Sequence, residues 1–199
     1  MGVEQPSIKA IVFDCFGVLY TGSLTELASH CESEQDTKDL YDITRAADHG
    51  FVSRDDYIAK LMELTRLTRQ EIRELLVGAQ VRSRGVFAYA AELKTRGYKV
   101  AVLSNIGRDT IHRLFNEADY ELFNAIIASG DIGVTKPHIT AYDRALERLR
   151  VQPGEAIMID DAYSNVAGAI EAGMYGIVFT SLVDLKARVE EILHPSVAE

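Results

Sequence analysis

Cysteines and long apolar runs are both scarce in this chain. Cys15 and Cys31 are the two cysteines among 199 residues. They are too few for a disulfide framework and lack the spacing of metal ligands. No apolar stretch approaches the ~20 residues that cross a bilayer, and Met1 to Pro6 contain no apolar signal segment. We therefore expect a cytoplasmic protein without a membrane span.

Basic residues are also in deficit. The chain has 21 Lys and Arg against 30 Asp and Glu, which gives a net charge of −9 and a pI of about 5.1. Nucleic acids and anionic membranes are bound mainly through clustered basic side chains, so both are disfavoured as partners. A small phosphorylated ligand stays compatible with this charge, because one lysine and local dipoles can bind it. The oligomeric state is left open.

Two familiar nucleophile patterns and a histidine metal-ligand pattern are absent. A cysteine phosphatase loop would place an arginine six residues after Cys15, and Thr21 stands there instead. Ser104 lies in Val-Leu-Ser-Asn-Ile, which is not the Gly-x-Ser-x-Gly elbow of esterases. The five histidines show no metal-ligand spacing: His30, His49, His112, His138 and His194. The chemistry must therefore come from other residues.

What the chain does have is a set of apolar runs that end in polar residues. The first, from Ile8 to Tyr20, reads as a buried strand that ends at Asp14 and is followed by Gly17. In open parallel sheets ligands bind just beyond the carboxyl ends of the strands, so Asp14 is well placed for chemistry. Taken alone, Asp14 could equally cap the turn after the strand.

Three later stretches repeat this form. Val100 to Leu103 lead to Ser104 and Asn105, and Ala156 to Ile159 lead to Asp160 and Asp161; between them, Lys136 lies in the turn after the run 125–128. In chain order the chain thus offers a carboxylate, a hydroxyl with an amide, a lysine and a carboxylate pair. This set suits a phosphate group and a divalent cation.

These four motifs, in this order, resemble the haloacid dehalogenase-like (HAD) hydrolase superfamily over roughly residues 8 to 180. The resemblance implies an α/β core with a Rossmann-like parallel sheet, its first strand central and helices on both faces, plus a small all-helical cap. We expect residues 1–20 and 82–199 to form the core and residues 21–81 the cap.

The pattern of residues after Tyr20 favours such a cap. Three capping boxes begin at Ser23, Ser53 and Thr68, each followed by helical spacing of apolar residues. These helices could alternatively extend the core laterally without covering the site. Beyond them, helices and strands alternate, as expected for right-handed parallel crossovers. We predict helices over 86–95, 108–118, 139–149, 163–172 and 183–193, and strands over 99–103, 125–129, 156–160 and 176–180.

The resemblance also implies a role for each motif residue. Asp14 is the nucleophile that forms an aspartyl-phosphate, Lys136 neutralises it and the transferring group, and Ser104 and Asn105 bind phosphoryl oxygens. Mg²⁺, which prefers oxygen ligands, is held by Asp14, Asp160 and the carbonyl of Phe16, with Asp161 joining through water. Asn165, four residues after Asp161, could orient that acid or could equally face solvent.

Phe16 departs from the family pattern. HAD phosphatases usually carry a second Asp at this position, which protonates the leaving alcohol; Phe cannot transfer a proton. Three functions stay open. The favoured one is a Mg²⁺-dependent phosphatase of small phosphorylated metabolites, for example sugar phosphates. The second is a catalytically weak or silent protein that binds a phospho-ligand. The third is a 2-haloacid dehalogenase, in which Arg45 would bind the substrate carboxylate.

Overall fold

Five parallel strands form the central sheet of the protein. The computed structural model describes residues 7–21, 23–48, 51–78 and 81–194. The strands, in chain order, are β1 Ala10–Phe13, β2 Tyr20–Thr21, β3 Val81–Arg82, β4 Lys99–Ser104, β5 Ala125–Ala128, β6 Ala156–Asp160 and β7 Tyr175–Val178. The sheet has the order β5-β4-β1-β6-β7, whereas β2 and β3 pair antiparallel as a separate ribbon. The prediction of an α/β fold with a central first strand is confirmed.

Helices occupy both faces of this sheet. Their bounds are α1 Ser23–Ser29, α2 Glu34–Asp48, α3 Arg54–Thr65, α4 Arg69–Gly78, α5 Arg84–Thr95, α6 Arg108–Leu114, α7 Glu117–Leu122, α8 Ser129–Ile132, α9 Ile139–Leu149, α10 Tyr163–Glu171 and α11 Leu182–Leu193, with a 3₁₀ turn at Pro153–Glu155. No helix in the described ranges is long and apolar enough to cross a bilayer.

The central strand shows why the chain folds into layers. All four side chains of β1 are buried, and successive side chains of a strand point to opposite faces of the sheet. Ile11 and Phe13 pack with α5 and α11, whereas Ala10 and Val12 pack with α9 and α10. A strand buried on both faces reads as a continuous apolar run, which is what the sequence shows.

Helices α1 to α4 share an apolar cluster of their own. Its buried members are Leu27, Leu40, Ile58, Leu61, Leu64 and Ile72. None of the capping boxes noted in the sequence begins α2. This helix has a serine cap instead: Ser33 accepts a hydrogen bond from the Asp36 N–H at 3.0 Å. The chain enters this helical group after β2 and leaves it at β3, and these two strands pair with each other. The division into core and cap at 20/21 and 81/82 stays a prediction.

The predicted helix over 108–118 is instead two helices. The chain breaks after α6 because Asn116 caps α7: its side chain accepts from the Asp119 N–H at 3.1 Å, and the Asp119 carboxylate accepts from the Asn116 N–H at 3.0 Å. Asp119 is buried and forms a bidentate ion pair with Arg82 of β3. This reciprocal cap, together with the ion pair, favours a new helix over continuation of α6.

Candidate active site

Three of the motif residues meet because their strands are neighbours. Asp14 directly follows β1, while Ser104 and Asp160 are the last residues of β4 and β6, which flank β1. The Asp14 N–H donates to the Ile159 carbonyl at 2.8 Å, which continues the pairing of β1 with β6 past the end of the strand. All three side chains are buried or nearly so. The carboxyl edge of the sheet thus carries a polar cluster inside the protein.

Lys136 completes this cluster. Its Nζ donates to Asp14 Oδ1 at 2.7 Å and to Asp160 Oδ2 at 2.5 Å. The lysine side chain is 1% exposed. Lys136 is separated from Asp14 by 122 positions in the chain, so the fold alone brings them together. The lysine therefore bridges the two acids that follow adjacent strands.

Burial and charge set the protonation of the three groups. Burial raises the pKa of Asp14 to about 6; the Lys136 charge opposes this rise and the Asp160 charge adds to it. Burial by itself would lower the pKa of Lys136, but the two carboxylates outweigh it and the net shift is upward. Lys136 is therefore a cation at neutral pH.

Asp160 is fixed by more than the lysine. Its Oδ1 accepts from the Ala162 N–H at 2.9 Å, and the Asn165 amide donates to Oδ1 and Oδ2 at 3.0 and 3.1 Å. The sequence left open whether Asn165 orients Asp161 or faces solvent, and these two bonds instead orient Asp160. The Tyr142 hydroxyl in turn donates to the main-chain carbonyl of Asn165 at 2.6 Å. Neighbouring groups thus hold the Asp160 carboxylate in a single orientation.

Asn105 acts on the main chain of Lys136. Its Nδ2 donates to the Lys136 carbonyl at 2.8 Å, and its Oδ1 accepts from the Lys136 N–H, also at 2.8 Å. This pair of bonds fixes the loop that carries the lysine. The carboxamide that the sequence suggested for phosphoryl oxygens is therefore already bonded, while Ser104 beside it is 2% exposed.

The acids form a group that fits a metal ion. Ligand atoms of Asp14, Asp160 and Asp161 all lie within 4.8 Å of one another. Asp161 is exposed and lies close to Gly17, whose φ is +81°; a Cβ built on that glycine would lie 1.9 Å from Asp161 Oδ2. Glycine is thus required at 17 both for its backbone conformation and for space. Several carboxylate oxygens around one point suit a hard divalent cation such as Mg²⁺.

Two cavities have Phe16 among their lining residues. We name the first the acid chamber: it has a volume of about 380 Å³ and its lining includes Asp14, Asp161 and Asn165, with apolar walls from α1, α3 and α4 at Leu24, Leu27, Tyr57 and Leu76. The second, the arginine chamber, has a volume of about 460 Å³ and its lining includes Arg54, Arg73, Asn105 and Thr135. Phe16, Ser23 and Leu76 line both chambers. Helices from 21–81 therefore form part of the walls of the site.

Two other sequence candidates are placed as follows. Cys15 is fully buried, and burial raises the pKa of its thiol, which agrees with its exclusion as a nucleophile. Arg45, suggested as the carboxylate-binding residue of a dehalogenase, lies in α2, but its side chain falls outside the described residues. The arginines that line a chamber, Arg54 and Arg73, were not identified from the sequence.

The sequence is similar to those of two known phosphatases. The chain is 29% identical over 184 residues to a sesquiterpene phosphatase of Aspergillus oryzae, covering 87% of this chain and 91% of the relative. It is 32% identical over 90 residues to a pyrophosphatase of Bacillus cereus, covering 44% of this chain and 41% of the relative. The second match thus spans less than half the length of that pyrophosphatase.

Solved structures share the fold at lower sequence identity. A dehalogenase determined as an intermediate complex superposes with a TM-score of 0.69 at 18% identity, covering 92% of this chain and 97% of the other. A HAD family enzyme of Bacteroides thetaiotaomicron, in complex with magnesium and inorganic phosphate, gives 0.56 at 19% identity, covering 87% and 95%. The sequence profile of haloacid dehalogenase-like hydrolases matches residues 8–173. With this match over most of its length, the chain belongs to the haloacid dehalogenase-like hydrolase family.

Proposed function

We propose that the protein is a Mg²⁺-dependent phosphatase of a small phosphorylated metabolite and works through an aspartyl-phosphate on Asp14. The observation that carries this proposal is the buried bridge from Lys136 to Asp14 and Asp160 at the carboxyl edge of the sheet. It places a nucleophile, a fixed cation and a second carboxylate at one point. The phosphatase activities named for the relatives from Aspergillus and Bacillus support the same reaction class.

In the first step an Asp14 oxygen attacks phosphorus and the bond to the leaving oxygen breaks, so the phosphoryl group is transferred to the carboxylate. Lys136, close to Asp14, neutralises charge on the transferring group. Ser104 donates to a phosphoryl oxygen, and Asn105 contributes at the same edge by holding the Lys136 main chain. Water then hydrolyses the aspartyl-phosphate and restores Asp14.

The donor set fits one divalent cation. Asp14, Asp160 and the main-chain carbonyl of Phe16 would hold Mg²⁺, and Asp161 would join through water. When bound, the ion supplies charge neutralisation at the phosphoryl oxygens. Asn165 and the Ala162 N–H prepare for this by holding Asp160 in place. The single charge of Lys136 is shared by two carboxylates, those of Asp14 and Asp160, which gives the site a reason to bind a further cation.

Phe16 limits the choice of leaving group. The residue faces both chambers but has no proton to give to a departing alkoxide. General acid catalysis is typically worth ~10²–10⁴-fold in rate, so simple alkyl phosphates should be poor substrates. Substrates with an inherently stable leaving group, such as sugar 1-phosphates or acyl phosphates, are favoured.

A panel of phosphate esters with Mg²⁺ or with EDTA tests the proposal. We expect hydrolysis with Mg²⁺, loss of hydrolysis in EDTA, and loss in the Asp160→Ala variant. Asp143→Ala is the matched control, because Asp143 is an exposed acid on α9 that lines neither chamber. Undiminished hydrolysis in EDTA would overturn the metal requirement, and phosphate binding without turnover would favour a silent binding protein.

One observation favours a second candidate. The haloacid dehalogenases also lack the acid at the position of Phe16, because a halide leaves without a proton. They work without a metal and do not need adjacent acids such as Asp160 and Asp161, so the acidic cluster argues against this activity. Chloride release from 2-chloropropionate in EDTA, at a rate above that of ester hydrolysis, would establish the dehalogenase instead.

A further inference from the structure

The arginine chamber holds two positive charges that the proposed chemistry does not use. Arg54 begins α3 and Arg73 lies in α4, and both side chains are exposed. Neither guanidinium forms a hydrogen bond or an ion pair with another residue in the described ranges, whereas Arg69 on α4 is paired with Asp55 at 2.9 Å. Two unpaired arginines that line one cavity are a receptor for anionic oxygen atoms, because the guanidinium fork matches phosphate and carboxylate geometry.

The rest of the chamber agrees with an anionic ligand. No carboxylate occurs among its lining residues, although the chain has 30 acidic residues. Polar residues that also line this chamber include Asn105, Thr110 and Thr135. Phe16 lines this chamber and also the acid chamber, whose lining includes Asp14. A group in the arginine chamber is therefore next to the site of phosphoryl transfer but apart from the acids.

We propose that the leaving group of the substrate carries a second oxyanion, a phosphate or a carboxylate, which Arg54 and Arg73 bind. This inference rests on the phosphatase activity proposed above and narrows its substrate class. It also gives Phe16 a function: an apolar side chain that lines both chambers offers no polar group to either oxyanion, which favours the reacting phosphoryl group at the acids and the second oxyanion at the arginines.

The chemistry of the departing group fits the lack of an acid. When the second oxyanion is a phosphate joined directly to the reacting one, Asp14 forms a new bond to phosphorus and the bridging P–O bond breaks. The electron pair stays on the bridging oxygen, and the product leaves as a phosphate anion. No proton is required, since a phosphate monoester loses its second proton near pH 6. Arginine cannot supply a proton, but its donors can stabilise that anion.

A carboxylate at a distance from the ester oxygen is the other source of a second oxyanion. It would be bound by the same two guanidinium groups, but the departing atom would then be an alkoxide. Substrates with and without each kind of second oxyanion distinguish a phosphate from a carboxylate. Inorganic pyrophosphate represents the directly joined phosphate. The pair 3-phosphoglycerate and glycerol 3-phosphate differ in having a carboxylate or a hydroxymethyl group.

The experiment measures kcat/KM with Mg²⁺ for these three substrates and for p-nitrophenyl phosphate, whose leaving group has no second phosphate or carboxylate. The proteins are the wild type, Arg54→Gln/Arg73→Gln, and the control Arg69→Gln on the same helix as Arg73. We expect the wild type to prefer pyrophosphate or 3-phosphoglycerate over glycerol 3-phosphate. In the double variant that preference should fall by about 10-fold to 100-fold, mainly because KM for the substrate with the second oxyanion rises. The kcat/KM for p-nitrophenyl phosphate should be unchanged.

The outcomes separate this inference from the proposed function. Absence of any hydrolysis, p-nitrophenyl phosphate included, overturns the phosphatase. Hydrolysis without a preference for a second oxyanion, or a preference that survives in the double variant, overturns the inference alone. Calorimetric binding of 3-phosphoglycerate and pyrophosphate to Asp14→Asn, with and without the two arginine substitutions, tests the receptor without turnover. Equal affinity in the two proteins for both ligands would also overturn it.

Discussion

Replacing Lys136 by Met tests the ion cluster on which the proposed function depends. Methionine retains most of the apolar length of lysine, so the change removes the charge and two hydrogen bonds with little loss of packing. Asp14 and Asp160 would then be two buried carboxylates without their shared cation. Removing one member of a buried ion pair costs about 3–5 kcal/mol of stability. Two hydrogen bonds to charged groups, at about 1.5–3 kcal/mol each, give a similar figure.

The measurement is urea denaturation of the wild type and Lys136→Met in EDTA and again in Mg²⁺. We expect a loss of about 3–5 kcal/mol in EDTA. Mg²⁺ should narrow this gap, because a cation bound by the folded state alone adds about 2.7 kcal/mol at 100 times its Kd. Without the lysine the acids have a greater need for a cation, so the variant should gain more than the wild type.

Lys99→Met is the control, since the Lys99 Nζ donates at 2.7 Å to the main-chain carbonyl of Leu149 and bonds to no carboxylate within the part of the chain that the structure describes. It should be destabilised less than Lys136→Met, and Mg²⁺ should not rescue it. A Lys136→Met protein within about 1 kcal/mol of the wild type in EDTA would refute the buried ion cluster.

Three further predictions concern the nucleophile and its neighbours. Asp14→Asn should keep the fold, checked by circular dichroism, but lose about 10³-fold or more in turnover, since an amide is not a nucleophile; a smaller loss would contradict the covalent step. Gly17→Ala and the control Gly97→Ala, where φ is +97° and no atom lies within 4 Å of the added Cβ, should each lose about 1–2 kcal/mol by denaturation. Only Gly17→Ala should weaken Mg²⁺ binding by calorimetry, because its Cβ displaces Asp161; equal affinities would contradict the steric argument. Phe16→Asp should raise hydrolysis of alkyl phosphates by up to ~10²-fold and flatten the dependence of kcat/KM on leaving-group pKa; a flat wild-type profile would show that another residue already donates the proton.

The sheet was predictable because its signals are local. Strand β6 and helix α9 occur at their predicted bounds, and α9 combines one apolar face with a cap in which the His138 ring accepts from the Thr140 N–H. The split between α6 and α7 was missed because two signals compete there. Helical spacing continues through Asn116, whereas the local cap between Asn116 and Asp119 favours a break, and the pairing of Asp119 with the distant Arg82 adds weight to the cap.

The site was predictable only in part, because only some of its contacts follow from local signals in the sequence. Strand order brings Asp14, Ser104 and Asp160 to one edge, so their meeting followed from recognising the strands. The contacts made by Asn105 and Asn165 depend on the orientation of side chains across loops, which no spacing in the sequence specifies. Arg54 and Arg73 line a chamber together with residues that follow β4 and β5, and that arrangement arises from the packing of distant segments.

The two bonds of Asn105 have an evolutionary consequence. They are made to the main chain of residue 136, and every residue except proline offers the same N–H and carbonyl there. Selection on Asn105 is therefore independent of which side chain occupies 136. A descendant that exchanged the lysine and lost activity would still need an asparagine at 105 to keep the loop in shape. Retention of this asparagine across a lineage would accordingly indicate that the loop structure is kept, whereas only retention of the lysine would indicate that the chemistry is kept.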